Sequence, residues 1–372
     1  MSDINIQTEF NENIQKGEAD KESPPFLLPK KKAVTKAGET LREYCNDPNI
    51  SINEPAVIEA ITTLENYRAV HNHYLSIFKR VLQRKINRIA LGDRCIVSAR
   101  SKRFISIVEK LLRFPKMQLA RMNDLAGIRV ILQDMDDLNA FIQDDRSICE
   151  LNKGYFHYTE KFHNYIQSPK SDGYRSIHQI FEEPKYQLKI ELQIRTQLQH
   201  EWAMVVETLG SIKKTGYKIG QGDERTKLFL KLCSALFSHL EHSPTISEFS
   251  TYSFEEICDE IRKLDSDLGI IDILKSVNAI DIQNDTEAAY YLLILDIENH
   301  KTEAIPFKKG EHFKANQLYT AYEQTFKEKE ATTNVVLVSV DDVNKLKDAY
   351  PSYFLDTSNF INRIERILSS EV

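Results

Sequence analysis

The chain has 372 residues, enough for two or three ordinary domains, and its 41% hydrophobic and 28% charged residues are typical of globular proteins rather than disordered ones. The longest apolar run, Ala288–Leu295, is eight residues, far below the ~18 that a membrane-spanning helix needs, and the first residues are too polar for a secretory signal. Five scattered cysteines, none in a C-x-x-C pair, exclude a disulfide framework and a thiolate zinc site of the usual spacing, so we expect a cytoplasmic protein with no membrane partner.

The first 91 residues predict an arm followed by a long helix. Residues 1–53 are polar and lack a sustained period, which predicts a flexible N-terminal arm with a short helix near residues 36–45. Apolar residues then recur at helical spacing from Pro55 to Leu91, and Gly92 is expected to end this amphipathic helix or pair of helices.

Residues 92–209 alternate between helical and strand patterns, which predicts an α/β (α+β) fold with a mixed central sheet flanked by helices. Helices are expected near residues 104–112, 137–142 and 197–208, and strands near residues 127–132, 156–162, 176–182 and 188–195. The glycine-rich residues 210–222 predict a loop, and helices follow to about residue 276.

The last ~85 residues predict a small ββαβαα unit. Its strands are expected at residues 290–297, 303–307 and 334–340, and its helices at residues 316–328, 341–350 and 359–368. We therefore divide the chain into an N-terminal arm, a mixed α/β domain, an acidic helical segment and a small α/β C-terminal unit, with boundaries at 1–53, 54–218, 223–285 and 286–372.

The net charge of −6 conceals two blocks of opposite sign. Residues 79–129 contain fourteen Lys or Arg against three acidic residues, and residues 241–300 contain fourteen acidic residues against three basic ones. The basic block favours a site for a polyanion, which the acidic block would complement or compete for. Alternatively, the two blocks pack against each other as a salt-bridged surface.

A first motif places cations on one helix face. Lys102, Ser106 and Lys110 are four residues apart, and Arg100 precedes them. Three cations and a hydroxyl at a helix start suit a run of phosphates. A solvated basic helix face would give the same spacing.

A second motif runs from Asp124 through Gly127 into an apolar strand that contains Arg129. A carboxylate beside a cationic cluster is a candidate Mg²⁺ ligand, because magnesium in phosphate sites uses one or two carboxylates plus substrate oxygens. A simple capping role for Asp124 is the alternative.

A third motif is a turn over residues 169–173 that presents Tyr174, Arg175 and His178 at the start of a strand. An exposed aromatic ring with cations nearby is a platform for nucleobase stacking. Packing of the tyrosine against the core is the alternative.

A fourth motif, residues 190–196, alternates strictly between apolar and polar residues. A strand with this pattern turns three aliphatic residues to the core and turns Glu191, Gln193 and Arg195 together to the other face. A carboxylate, an amide and a guanidinium in a row suit a metal ligand or base, a base reader and a phosphate clamp. A solvent-facing strand would show the same alternation.

Together and in this order, the four motifs resemble the synthetase domain of the RelA/SpoT alarmone synthetases. The resemblance covers roughly residues 55–218 and rests on R-x-K-x-x-x-S-I-x-x-K at 100–110, D-L-A-G-I-R-V at 124–130, G-Y-R-S-I-H at 173–178 and E-L-Q-I-R-T at 191–196. That family transfers the β,γ-pyrophosphate of ATP to the ribose 3′-hydroxyl of GDP or GTP and releases AMP. The resemblance therefore implies a pyrophosphokinase with a nucleotidyltransferase-like fold over residues 54–218.

The resemblance also implies roles for single residues. ATP would be held by Arg100, Lys102, Ser106, Lys110 and Arg129. Mg²⁺ would be bound by Asp124 and Glu191, and Glu191 would also be the catalytic base. The acceptor would be bound by Lys170, Tyr174, His178, Gln193, Arg195 and His200, with the Tyr174 ring stacked on guanine.

The chain departs from the family pattern in three places. Asp172 stands where the family usually has Asn, and Val206-Glu207-Thr208 stands where short members usually carry a Glu-His pair. No His-Asp pair occurs, so we do not expect the family's HD-type hydrolase. Only about 150 residues follow the synthetase region and none resembles the family's regulatory modules, so we do not expect a long ribosome-sensing member.

Two other functions remain open at this point. One is a synthetase-like toxin that attaches pyrophosphate to the 3′ end of tRNA, as some phage-defence members do; the basic block would hold the RNA backbone. The other is a non-catalytic nucleotide- or RNA-binding module. For residues 220–372 the hypotheses are a cover over the basic site, completion of the fold, or an interface for self-association.

Overall fold

The computed structural model describes residues 27–47, 49–144, 148, 156–213, 217, 221–275, 288–296, 301–308, 311, 314–315, 317–319, 321–322, 333–339 and 357–369. The first half of the predicted arm (residues 1–26), part of the glycine-rich loop and the helix predicted at 341–350 lie outside the described residues. In the described part of the chain, no helix is both long enough and apolar enough to cross a membrane.

Two helices precede the sheet. α1 (Lys31–Asn46) buries Val34 and Leu41 completely and packs along α2 (Pro55–Arg88), which runs as one helix of 34 residues. Residues 31–46 are therefore a fixed part of the core, not a loosely attached arm. The sequence predicted a shorter helix, near residues 36–45, because charged residues interrupt the apolar stripe of α1. Packing against α2 stabilises the full helix.

A mixed sheet of eight strands forms the centre of the molecule, as the sequence predicted for its fold class. Its strands are β1 (Cys95–Ser101), β2 (Ala126–Leu132), β3 (His157–Asn164), β4 (Ile177–Glu183), β5 (Leu188–Thr196), β6 (Ala288–Asp296), β7 (Lys301–Lys308) and β8 (Thr333–Ser339). Their order is β3-β4-β5-β2-β1-β8-β6-β7. β2 and β5 are parallel, and the other neighbours are antiparallel. The sequence analysis did not predict β1, because Ser98 and Arg100 interrupt its short apolar pattern.

The remaining helices complete two hydrophobic clusters. They are α3 (Phe104–Arg113), α4 (Met135–Gln143), α5 (Gln197–Ile212), α6 (Glu224–Leu240), α7 (Phe254–Leu268), α8 (Ile270–Lys275) and α9 (Ser358–Ser369). α1 to α4 share the first cluster with the apolar face of the sheet, and α5 to α9 form the second cluster. The site described below lies where the opposite, polar face of the sheet meets α5 and α6.

Strand pairing and side-chain contacts connect the C-terminal unit to the rest of the molecule. β8 pairs with β1, so the sheet is continuous across the boundaries predicted from sequence. Buried Arg68 of α2 donates to the Tyr319 hydroxyl at 2.7 Å. Arg363 of α9 forms a two-bond ion pair with the buried carboxylate of Glu201 on α5, at 3.0 and 3.1 Å.

Candidate active site

One face of the sheet collects polar side chains from five neighbouring strands. The register makes this unavoidable, because directly paired residues project from the same face of a sheet. Two rows of paired residues result: Arg100 with Gly127 and Glu191, and Arg129 with Gln193, His178 and His163. The opposite face carries Ile190, Leu192 and Ile194, which are buried in the first cluster as their alternation predicted.

The polar face borders a cavity of about 460 Å³. Its other walls come from residues 170–174 before β4 and from α5 and α6. Ten of the residues proposed from sequence line it: Arg100, Lys102, Asp124, Arg129, Lys170, Tyr174, His178, Glu191, Gln193 and Arg195. The four motifs, up to 90 residues apart in the chain, therefore converge on one space.

Asp124 lies between two cations at one end of this cavity. Its carboxylate binds Lys110 Nζ at 2.8 Å and Lys102 Nζ at 3.1 Å, so two lysines eight residues apart in the sequence meet on one anion. Burial by itself raises the pKa of Asp124, but the two lysines outweigh it and hold the pKa below its ordinary value. Asp124 is thus an ionised carboxylate at neutral pH.

Glu191 is held by hydrogen bonds to both of its carboxylate oxygens. Oε1 accepts from His178 Nδ1 at 3.1 Å, and Oε2 accepts from Gln193 Nε2 at 2.7 Å. Burial opposes ionisation, but the bonds from His178 and Gln193 and the charge of Lys102 lower the pKa of Glu191 to about 2. The site therefore holds a second ionised carboxylate in a fixed orientation.

A directed chain of hydrogen bonds starts from Arg195. Its Nη2 donates to the Tyr174 hydroxyl at 2.6 Å, and that hydroxyl lies 2.7 Å from His178 Nε2. Since burial and the nearby cations Arg195 and Lys170 lower the pKa of His178, its ring is neutral. A neutral His178 ring can make both of its hydrogen bonds in one tautomer only: Nε2 accepts from the Tyr174 hydroxyl, and Nδ1–H donates to Glu191.

Aromatic rings surround Tyr174. The Tyr165 ring meets it edge-on with centroids 5.9 Å apart and stacks on His163 at 5.5 Å. Lys170 Nζ lies 4.4 Å from the Tyr165 centroid and 4.8 Å from that of Tyr174. The sequence analysis did not identify His163 and Tyr165 as site residues. Both lie just after the strand predicted at residues 156–162, and this strand pairs with the strand that contains His178. That position was the available signal.

The side chain of Asp172 closes the turn before β4. Its Oδ1 accepts from the Tyr174 backbone N–H at 2.9 Å, a bond that an asparagine oxygen would make equally well. Gly173 adopts φ +95°, and a Cβ there would come within 3.0 Å of Trp202 and Ser234. The substitution at 172 therefore preserves the turn, and glycine is required beside it.

Four residues named from sequence do not line the cavity. Ser106 and Lys110 are half-buried on α3, and His200 is buried in α5. Arg175, expected to be presented with Tyr174, is buried and paired with Glu241 at 2.8 Å. Because His200 is buried and does not line the cavity, the acceptor-binding role expected for it stays a prediction.

The structure adds wall residues that no motif marked. Trp202, Met204, Val206 and Glu207 line the cavity from α5, so the atypical stretch after the tryptophan is part of the site. Lys227 and Lys231 line it from α6, beyond the predicted domain boundary. Only the packing of α6 against the turn at Gly173 brings these lysines to the site, and local sequence does not encode that contact.

The two charge blocks do not cover each other. Within the basic block, Lys85 and Arg88 bind Asp144, Arg94 binds Asp137, and two further lysines bind Asp124. Of the acidic block, no residue that the structure describes lines the cavity. The described part of residues 241–300 therefore does not cover the cavity.

The donor set suits a divalent cation that shares its coordination with a substrate. No group of three or more His, Cys, Asp or Glu arranged for a metal occurs among the described residues, so a dedicated protein cage is absent there. Asp124 and Glu191 are close enough for each charge to affect the other and both line the cavity. Two carboxylates completed by phosphate oxygens match the way Mg²⁺ binds in phosphoryl-transfer sites.

Comparison with known proteins places this cavity in a family context. The family model described as "Region found in RelA / SpoT proteins" matches residues 99–220. GTP pyrophosphokinase YwaC of Bacillus subtilis is 36% identical over 118 residues, which are 28% of this chain and 52% of that protein. GTP pyrophosphokinase YjbM of the same organism is 30% identical over 154 residues, 39% of this chain and 67% of the relative. Across the curated relatives, the chain spans from 20% to 67% of their length.

A crystal structure of the small alarmone synthetase 1 from Bacillus subtilis, bound to its product pppGpp, is also similar. It is 26% identical to this chain, and the match covers 46% of this chain and 89% of that one, with a TM-score of 0.38.

Proposed function

The chain belongs to the RelA/SpoT family, and we propose that it transfers pyrophosphate from ATP to the ribose 3′-hydroxyl of GDP or GTP. The observation that carries this proposal is the position of the Glu191 carboxylate. It lies in one cavity with the cations Arg100, Lys102 and Arg129 and with the ring of Tyr174. A phosphate-binding set, a base and a stacking ring are what a transfer between two nucleotides requires.

The cations suit the polyphosphate of the donor. Arg100 and Arg129 project from adjacent strands of the sheet, and Lys102 reaches the same space from the start of α3. Arginine forks bind phosphate oxygens with two parallel bonds, and a fixed cation needs no reorganisation when charge shifts during reaction. These residues would orient ATP with its β-phosphorus facing Glu191.

The transfer balances with the residues present. The acceptor 3′-oxygen forms a bond to the β-phosphorus, and the bond from that phosphorus to the oxygen bridging to the α-phosphate breaks. AMP leaves with the bonding electrons, and the hydroxyl proton passes to Glu191. With its pKa near 2, Glu191 is a weak base in the resting site, so it takes the proton as the new bond forms.

Mg²⁺ held by Asp124 and Glu191 would neutralise the charge that develops on the transferred phosphates. Lys102 and Lys110 would then turn from Asp124 toward phosphate oxygens. His178 and Gln193 would keep the carboxylate plane of Glu191 fixed throughout.

The acceptor would lie against Tyr174. This ring is half-buried, and its hydroxyl is fixed by Arg195 and His178, so its plane is set before a base arrives. Preorganised rings of this kind bind a base at a lower entropic cost. Tyr165 and Lys170 extend the same aromatic and cationic wall.

An RNA 3′ end is the second candidate acceptor, and the case for it is weaker than the sequence indicated. The basic block was its main support, but at least five of those cations are engaged in ion pairs with acidic residues of the fold. Fewer cations are therefore free to follow an RNA backbone.

The deciding experiment offers the protein ATP labelled at the γ-phosphate together with GDP, GTP or bulk tRNA. Labelled product with GDP or GTP and unlabelled AMP are expected. Label only in RNA, with rates that fall steeply as salt rises, would replace the nucleotide acceptor by RNA. No labelled product with any acceptor would reject the transferase.

A further inference from the structure

Two lysines on α6 face the acceptor side of the cavity although the family match ends at residue 220. They are Lys227 and Lys231, one helical turn apart and therefore on one face of the helix. Ser234 continues the same face, and its hydroxyl donates to the Gly173 carbonyl at 2.5 Å. Gly173 precedes Tyr174, so this face of α6 adjoins the stacking ring.

α6 is held firmly in this position. Asp223 caps its N-terminus through the Thr226 N–H at 2.7 Å, and the Trp202 indole donates to the Leu230 carbonyl at 2.7 Å. At the other end, Glu241 forms the buried pair with Arg175. A helix fixed at both ends and at its middle presents its lysines in a defined place, as a binding site requires.

Both lysines have partners that a ligand can replace. Lys227 binds Glu224 at 2.9 Å and Lys231 binds Glu248 at 2.7 Å, and these carboxylates are 88% and 48% exposed. Ion pairs with exposed carboxylates contribute little to stability, so exchanging such a carboxylate for a phosphate costs little. The carboxylate of Asp124, which binds two other lysines, is less exposed than those of Glu224 and Glu248.

We propose that Lys227 and Lys231 bind the 5′-phosphates of the acceptor nucleotide. A nucleotide stacked on Tyr174 with its 3′-hydroxyl toward Glu191 directs its 5′ end away from the ATP cations, and α6 supplies positive charge on the acceptor side. The ligand class is a 3′-hydroxyl nucleotide with 5′-phosphate, either a free nucleoside polyphosphate or the last nucleotides of an RNA. This inference rests on the proposed function.

The experiment compares the wild-type full chain with the double variant Lys227→Ala/Lys231→Ala. Acceptors are guanosine, GMP, GDP, GTP and a short RNA with a free 3′-hydroxyl, at saturating ATP. The double variant should raise KM for GDP or GTP by about tenfold or more, since it removes two charge-assisted contacts to the phosphates. KM for guanosine and for ATP should stay within about twofold of the wild type, because neither depends on these contacts.

Two further variants serve as controls. Lys263→Ala removes a lysine of α7 with the same three-residue spacing to its glutamate, Glu260, away from the cavity, and should change no KM. Lys227→Arg/Lys231→Arg should recover most of the affinity, since it keeps both charges. An effect confined to the RNA arm identifies RNA as the source of the phosphates. An unchanged KM for every phosphorylated acceptor overturns the proposal.

Binding without chemistry separates this inference from the proposed function. Equilibrium dialysis of labelled GTP and guanosine, with no ATP present, measures directly how much the two lysines contribute to the affinity for each ligand. If GTP binds and the double variant loses that binding while no acceptor is ever modified, the phosphate site stands and the transferase fails. If transfer to GTP proceeds and dialysis shows equal affinity in the two proteins, the transferase stands and the phosphate site is rejected.

Discussion

Glu241 holds the guanidinium of Arg175 at 2.8 Å in a place where both side chains are buried. The same carboxylate accepts from Gln199 at 3.0 Å and from the Thr196 hydroxyl. Arg175 follows Tyr174, the proposed stacking residue, in the chain, and Glu241 begins the acidic block. Although the charge pattern assigned Glu241 to a separate acidic segment, its carboxylate is thus an internal support of the cavity wall that contains Tyr174.

We expect Glu241→Gln to destabilise the protein by about 3–5 kcal/mol, because removing one partner leaves the other charge buried and uncompensated. Urea unfolding followed by the fluorescence of Trp202, the sole tryptophan, measures this change. Asp267→Asn is the matched control, since Asp267 pairs with Arg225 where both are more than half exposed. The control should change stability by less than about 1 kcal/mol. Equal effects of the two variants would contradict the internal role of Glu241.

Loss of either site carboxylate should stop the proposed transfer. Asp124→Ala and Glu191→Gln are each expected to lower kcat by at least about a hundredfold, as for loss of a general base or of a metal ligand in such sites. Initial rates of AMP release at saturating substrates test this. Glu182→Gln, on the neighbouring strand and outside the cavity, should keep full activity. Retained activity in Glu191→Gln would remove the base from that position.

Tyr174 supports two separate predictions, because its ring is proposed to stack on the acceptor base and its hydroxyl links Arg195 to His178. Tyr174→Ala should raise KM for the acceptor by roughly 5- to 150-fold, the equivalent of about 1–3 kcal/mol of stacking, and should leave KM for ATP nearly unchanged. Equal changes for both substrates would show that the ring packs the core instead.

Tyr174→Phe keeps the ring and removes the link between Arg195 and His178. We expect a small change in acceptor KM and a larger fall in kcat, because His178 then loses the bond that fixes its ring against Glu191. Steady-state kinetics with the acceptor varied separates the two parameters. A loss of acceptor affinity as large as that of Tyr174→Ala would contradict this division.

His71 should make the protein less stable in mild acid. It is completely buried in α2, and burial lowers its pKa to about 4 although Nδ1 bonds the Tyr67 carbonyl at 2.8 Å. As pH falls, the histidine of the unfolded chain, with a pKa near 6.5, is protonated before the buried histidine of the folded chain. The contribution of His71 to the free energy of unfolding is therefore complete above about pH 6.5 and is lost as pH drops toward 4. From these values the loss between pH 7.5 and pH 5 is about 2 kcal/mol. Urea midpoints at the two pH values should show a smaller loss of stability in His71→Gln than in the wild type, because His73 and His178, whose pKa values burial also lowers, remain in the variant.

The sequence predicted the parts of the site that depend on local pattern. The strict alternation of residues 190–195 placed Glu191 and Gln193 on the face opposite the aliphatic core, and the structure confirms that arrangement. It did not predict the burial of Arg175 or the arrival of Lys227 in the cavity. Those depend on how α6 packs against a turn some fifty residues earlier, and no local periodicity reports such a contact.

Fold prediction met the same limit at the sheet. The C-terminal strands were recognised individually, since runs such as residues 335–338 are continuous apolar stretches and are buried. Their place beside β1 was not predictable, because the pairing of β8 with β1 joins residues more than 230 positions apart, Arg100 and Val338 among them. Register between distant strands is decided by tertiary packing.

The position of β8 between β1 and β6 has a consequence for the order in which the chain is made. Strands β1 to β5 are complete once residue 196 has been synthesised, but the open side of β1 receives its partner only when residue 339 has followed. At 5–20 residues per second this interval is about 7–30 s, during which β1 is an exposed strand edge able to pair with other chains. A nascent chain interrupted within that interval would carry Arg100, one of the residues proposed to bind ATP, on an unprotected edge. Completion of the C-terminal unit therefore covers the edge of β1 as well as extending the sheet.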